Sequence, residues 1–215
     1  MPSAPLLVPE LAGEAAEAAE LRSAALAAAG ELPEHWVAFG AGPDAVFGPE
    51  QAGSFGGFGA EVAVQLAPGV QPRAELPLCA LIAGWLRGRV RPDAEVVVHS
   101  CADPQTALET GRRVRASIER AAHRTGVLVI ADGANTLTAS APGGHRPADA
   151  QCQRTLDDAL AGGQVAHLAA LPPQILGRAG FAALAGLTGV APRDVTQLYR
   201  DAPYGVGYFV GVWRL

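Results

Sequence analysis

The chain of 215 residues has no lysine, and all sixteen of its basic residues are arginine. A P-loop needs a lysine on the terminal phosphates, so that absence excludes it, along with any mechanism through a lysine Schiff base. Charge of either sign is scarce at 17% of residues, and 16 basic against 21 acidic side chains leave a net −5. A nucleic-acid binder needs a cationic face to displace phosphate counterions, so no nucleic-acid partner is expected. Cysteine is scarce too. Cys79, Cys101 and Cys152 are an odd number without C-x-x-C spacing, which argues against a disulfide framework and a structural zinc site. Long apolar runs are missing: the longest charge-free stretch, 159–177, is interrupted by Gly162-Gly163, His167 and Pro172-Pro173. No membrane span is expected from such a segment. The opening Met1-Pro2-Ser3-Ala4-Pro5 lacks the basic region of a secretory leader, and the reading is a cytoplasmic protein with reduced thiols.

What is present is a globular core. Hydrophobic residues make up 49% of the chain, enough to exclude disorder and to bury a core without staples. Alanine alone accounts for 44 residues, which, with arginine as the sole basic residue, reads as the composition of a GC-rich genome. A helix is expected over 11–29, with Glu14, Glu17 and Glu20 in its first half, and strands over 36–40 and 61–66. The glycine-rich 54–59 lies between those strands and lacks the G-x-G-x-x-G spacing. A helix over 76–89 and a buried strand over 95–99 follow. The next helix is the best marked: Asp103 stands as N-cap, Pro104 as first helical residue, and Gly126 as the stop. A strand over 127–131, a helix from Pro147 to Gly162-Gly163, short helices over 165–171 and 181–187, and an antiparallel hairpin of 195–199 and 206–213 complete the pattern. Strands alternating with helices and a terminal hairpin predict a single three-layer α/β domain over 1–215, with a mixed, mostly parallel sheet.

In open α/β sheets, ligands gather beyond the carboxyl ends of the strands. Those ends carry His99, Ser100, Cys101 and Asp103, then Asp132 and Asn135, with His145 in the following loop. The N-cap role accounts for Asp103. His99 suits a ligand or general base as well as a structural hydrogen bond, and Cys101 suits a small buried hydrophobe. Asp132 precedes a glycine, where turn chemistry and catalysis both fit. His35, His123 and His167 have no second histidine within four residues, so there is no zincin pair. Arg112, Arg113, Arg115, Arg120 and Arg124 read as a solvated helix face. No G-x-S-x-G elbow is present.

Three segments carry a family likeness: Pro2-Ser3-Ala4-Pro5-Leu6-Leu7-Val8-Pro9-Glu10, the stretch from Asp132-Gly133-Ala134-Asn135 to Ala141-Pro142-Gly143, and the ending Asp201-Ala202-Pro203-Tyr204-Gly205-Val206-Gly207-Tyr208-Phe209-Val210. In that order they resemble class III extradiol ring-cleavage dioxygenase B-subunit-like proteins of a GC-rich bacterial branch. The resemblance implies a non-haem Fe(II) held by two histidines and a carboxylate, with a further histidine as acid and base, opening a catecholic ring with O₂. At the matching positions this chain has Ser3 for the first histidine, Gly40-Ala41-Gly42 for the second, and Asn135 or Thr136 for the catalytic one. Asp201 is the candidate carboxylate.

The expectation is therefore a dioxygenase-like fold without its iron ligands, serving as a non-catalytic small-molecule-binding or regulatory protein with no metal and no cofactor. Its candidate pocket is lined by Ser3, His99, Cys101, Asp132, Asn135, His145 and Asp201. The alternative is an active Fe(II)-dependent ring-opening enzyme with a non-standard set drawn from His99, Asp132, His145 and Asp201. A third reading, metal-free hydrolysis through Asp132, lacks an identified nucleophile. The superfamily implies a homo-oligomer. It also opens on a hydrophobic strand, whereas Pro2, Pro5 and Pro9 bar a central strand here; the sheet is one strand short, or the native start lies upstream of Met1. N-terminal sequencing of the native protein distinguishes these, and a chain beginning at Met1 leaves the short sheet.

Overall fold

The β-branched runs of the sequence become parallel strands of one sheet, with residues alternating between a buried and a half-buried face. A computed structural model describes residues 1–13, 16–70 and 75–215. A 3-10 turn at Pro5–Leu7, α1 (Pro9–Ala12) and α2 (Ala16–Gly30) lead into β1 (His35–Ala41) and β2 (Ala45–Phe47). Next come β3 (Ala52–Ser54), β4 (Ala63–Gln65), α3 (Leu78–Val90), β5 (Glu95–Cys101), α4 (Pro104–Arg120) and β6 (Thr125–Ile130). The chain ends with α5 (Asp149–Ala161), α6 (Val165–Leu168), α7 (Arg178–Thr188), β7 (Asp194–Asp201) and β8 (Tyr208–Arg214). The fold is mixed α/β. Its main sheet has the order β2-β5-β1-β6, with β5 and β6 parallel to β1 and the short β2 antiparallel at the β5 edge. β3 with β4 and β7 with β8 form two separate antiparallel pairs.

The alternation of side chains along β1 sorts the core into two layers. Trp36 and Ala38 join Val96, Val98, Leu128 and Ile130 against α2 and α3. Phe39, with Val37 and Val127, faces α4 and α7 on the other side. The chain leaves β1 for β5 on one flank and then crosses back to β6 on the other, so the crossover helices α3 and α4 cover opposite faces.

Several expectations change. The helix expected over 11–29 is divided into α1 and α2, with Gly13 at φ 59 after the first; residues 14 and 15, and with them Glu14, lie outside the described residues. The strands β2 and β3 were not expected, because three-residue strands are too short to register a period. Gly126 does not stop α4, which ends at Arg120. It sits inside β6, where a Cβ would lie 2.7 Å from the Pro33 ring and 2.8 Å from Leu32. A strand glycine that admits the close approach of another segment reads, in sequence, like a helix stop. The N-cap is as expected: the Asp103 carboxylate accepts the Thr106 N–H at 2.7 Å, ahead of Pro104. The hairpin is also as expected, with a register shift between Gln197 and Tyr199.

The helices α4 and α7 meet backbone to backbone through two glycines. A Cβ on Gly111 would fall 2.2 Å from the Ala183 carbonyl oxygen, and one on Gly186 would fall 2.0 Å from that of Leu108. Gly88, at an exposed place in α3, has open space around it. Gly111→Ala and Gly186→Ala are each expected to cost about 1–3 kcal/mol through overpacking. Gly88→Ala should instead stabilise by roughly 0.5–1 kcal/mol through helix propensity. Urea unfolding of the three variants measures both signs.

Candidate functional site

Because α4 leans on α7, it leaves the β5 edge of its own face uncovered. Val96 and Val98, pointing to the α3 side, are fully buried, whereas Val97 and His99 on the α4 side are half-buried, and Val46 of β2 is 61% exposed. The gap is a groove of about 920 Å³ floored by Val97, His99 and Val46 and walled by Thr106, Thr110, Arg113 and Ser117 of α4. The His99 imidazole stacks on the Phe39 ring, with centroids 5.3 Å apart and planes at 21°. Burial, and secondarily the Arg113 charge, lower the His99 pKa from its ordinary value and so favour the neutral ring. Arg113 donates to the Thr110 hydroxyl at 2.8 Å and has no carboxylate partner among the described residues. Cys101 lines the same groove. Burial foremost, then the Asp44 charge, raise its pKa and so favour the thiol form. At the far end His35 and His123 stand 4.0 Å apart, ring to ring.

A second polar place lies beyond β6. Residues 1–3 run along the β6 edge: the Met1 ammonium donates to the Val129 carbonyl at 2.9 Å, and the Ala131 N–H donates to the Met1 carbonyl at 2.8 Å. That path brings the Ser3 N–H to the Asp132 carboxylate at 2.6 Å. Burial pushes the Asp132 pKa up to about 6, against the opposing pull of the Ser3 N–H and the N-terminal charge. Tyr208 is raised as well, by burial first and by the Asp132 charge next. The loop carrying Asp132 is held from below. Gln153 accepts the Ala134 N–H at 2.8 Å and donates to Asp157 at 2.7 Å, Asp157 pairs with Arg200 at 3.3 Å, and Thr136 donates to Asp149 at 2.6 Å. Gly177 seals the loop against α7, donating its N–H to the Asp132 carbonyl at 2.8 Å.

Ser3 and Asp132 are thus brought together, and His99 and Cys101 share the groove. The rest stand elsewhere: Asn135 packs on Gly143, His145 is exposed in the same loop, and Asp201 is exposed at the end of β7, accepting the Ala202 N–H at 2.7 Å. Arg113 is exposed, as a solvated helix face requires, and it also lines the groove. Its signal was in the sequence, since Thr106, Thr110, Arg113 and Ser117 form a polar stripe at helical spacing. The His35–His123 pair had no such signal, being 88 positions apart and joined by the sheet. No helix among the described residues is long and apolar enough to cross a membrane.

A scan against protein-family models finds no match for this chain, and a search of curated proteins finds no relative. The iron centre implied by the ring-cleavage resemblance can still be tested against the donors themselves. Such a centre takes two imidazoles and one carboxylate with open positions for substrate and O₂. Beside Ser3 there is one carboxylate and no imidazole, and no group of three His, Cys, Asp or Glu among the described residues could hold a metal ion. The described residues beside Ser3 do not fit Fe(II).

The Asp132 carboxyl has a sign that can be measured. Its ordinary value is 3.8 and its folded value about 6, so the native state keeps the proton longer and its stability falls as pH rises through that window. Asp132→Asn removes the titration while keeping an acceptor for the Ser3 N–H. Its stability relative to wild type should grow by about 1–2 kcal/mol between pH 4 and pH 7, below the unscreened value because the group is half-buried. Urea unfolding at the two pH values is the measurement, and a pH-independent difference would mean an ordinary carboxyl.

Proposed function

We propose that this chain is a non-catalytic, cytoplasmic binding protein for a small aromatic acid, built on a fold like that of the extradiol ring-cleavage dioxygenases but without their iron chemistry. The single observation that carries this reading is the groove over β5. It pairs an apolar floor with one cation lacking a carboxylate partner and one neutral imidazole backed by an aromatic ring. Binding pockets commonly combine an apolar lining with a few polar groups that fix orientation. Arg113 suits the carboxylate of such a ligand, and Thr106 and Thr110 suit its hydroxyls. The His99–Phe39 stack presents an edge for its ring. On this reading His99 and Arg113 orient the ligand, and burial favours the thiol form of Cys101 beside them.

The probe is 3,4-dihydroxybenzoate, which carries the ring, the hydroxyls and the acid together. Calorimetric titration should show one saturable site, with His99→Ala and Arg113→Gln each weakening it roughly five- to tenfold, the loss of one interaction worth about 1 kcal/mol. Asp132→Asn, away from the groove, should bind like wild type. Anaerobic reconstitution with Fe(II), followed by metal analysis and an oxygen electrode, tests the opposing reading. Stoichiometric iron with O₂ uptake on the same probe would overturn a non-catalytic role.

A further inference from the structure

The groove over β5 has a second polar end, away from Arg113 and His99. β1 and β5 run in register, so His35 lies beside Glu95 as Phe39 lies beside His99. Four residues of strand, roughly 13 Å at about 3.3 Å each, separate the two ends. Residues two apart share a sheet face, so His35 and Glu95 open on the same groove as His99, with Thr125 in register from β6. His123 reaches this end from the connection between α4 and β6.

The rings of His35 and His123 are 4.0 Å apart and inclined at 47°, so they are not stacked flat. Neither ring has a hydrogen bond or an ion pair with another described residue, which leaves the ring nitrogens for an outside partner. Two other charged side chains line the groove, and both belong to the His99 end: Asp44 accepts the Ala102 N–H and Arg113 donates to Thr110. Glu95 is therefore the charge beside the pair, while Arg124, next to His123 in sequence, lines a separate cavity. Two imidazoles near a carboxylate suit a divalent ion of the late first row, for which imidazole is a preferred ligand. A hard ion such as Mg(II) takes oxygen ligands instead. Metal–nitrogen bonds of about 2.0–2.1 Å require both rings to aim at one point. His123 is exposed in a short connection, where rotation of its side chain achieves that.

We propose that His35 and His123 together hold one zinc-like divalent ion, which ties the connection after α4 to the start of β1. Among the described residues no group of three His, Cys, Asp or Glu could hold a metal, so water fills the remaining positions and Glu95 contributes its charge from nearby. Two imidazoles are half the ligand set of a structural zinc site, and a Kd of roughly 1–100 µM is expected. The site is independent of the aromatic-acid ligand and stands or falls apart from it.

The test titrates the untagged full chain with zinc chloride. Calorimetry should show one zinc per chain, and the imidazole NMR signals of His35 and His123 should shift together. Magnesium chloride should not compete. His35→Gln and His123→Gln should each weaken binding at least tenfold. Should His35→Gln not fold, His123→Gln carries the test, since an exposed residue in a connection is replaced without loss of packing. His99→Ala and His145→Ala should bind zinc like wild type, the first of them separating this site from the His99 and Cys101 end of the groove. The proposal is overturned by the absence of a saturable site up to about 1 mM zinc. Wild-type affinity in His123→Gln, or loss of the site in His99→Ala, overturns it as well. So does one zinc per two chains with a dimer in sedimentation, which would place the ion between copies.

Discussion

The close contact of α4 with α7 is the constraint on which the candidate site depends. Two glycines remove the side chains that would hold the helices apart, and each backbone approaches the other's carbonyl groups. A helix drawn that close to its neighbour cannot also lie over the sheet edge. α4 therefore covers Phe39 of β1 and leaves Val97 and His99 of β5 open. The groove is the geometric remainder of that choice. Its polar groups come from the face of α4 that the contact turns toward β5.

A different kind of constraint shapes the far end of the sheet. The loop after β6 carries its own anchors, with Gln153 and Asp157 beneath Ala134, and Asp149 beneath Thr136. Buried polar groups with satisfied partners hold a single geometry, and breaking one leaves the other unpaired. That rigidity keeps the Asp132 carboxyl half-buried, and burial holds its pKa near 6 against the downward pull of the Ser3 N–H. The Ser3 backbone amide takes up one acceptor site of the Asp132 carboxylate.

Much of the fold was legible in the sequence because its signals are local. The β-branched runs marked β5 and β6, and Asp103 with Pro104 marked the start of α4 within a residue. The terminal hairpin followed from its turn residues. What failed were elements whose identity is set from outside. β2 and β3 are too short to have a period and exist because an edge was there to pair with. Gly126 looked like a helix stop because its reason, the approach of Leu32 and Pro33, comes from nearly a hundred residues away. The site was legible to a lesser degree. The rule that ligands gather at strand ends pointed to His99 and Asp132 alike, and it could not say that they serve different places on the sheet.

By itself, the sequence determined the chemistry that is impossible and the class of fold. Without lysine there is no P-loop, without paired histidines no local zinc motif, and without histidine at Ser3 no imidazole where the family likeness asks for one. These are matters of which atoms exist, and no folding alters them. The tertiary structure alone decided which of the remaining groups meet. It put Arg113 beside His99, His35 against His123, and Ser3 on Asp132. The physical reason is that strand order and helix-to-helix approach are long-range properties. A four-stranded order of β2-β5-β1-β6 and a glycine contact between two distant helices leave no periodic trace in the segments they bring together.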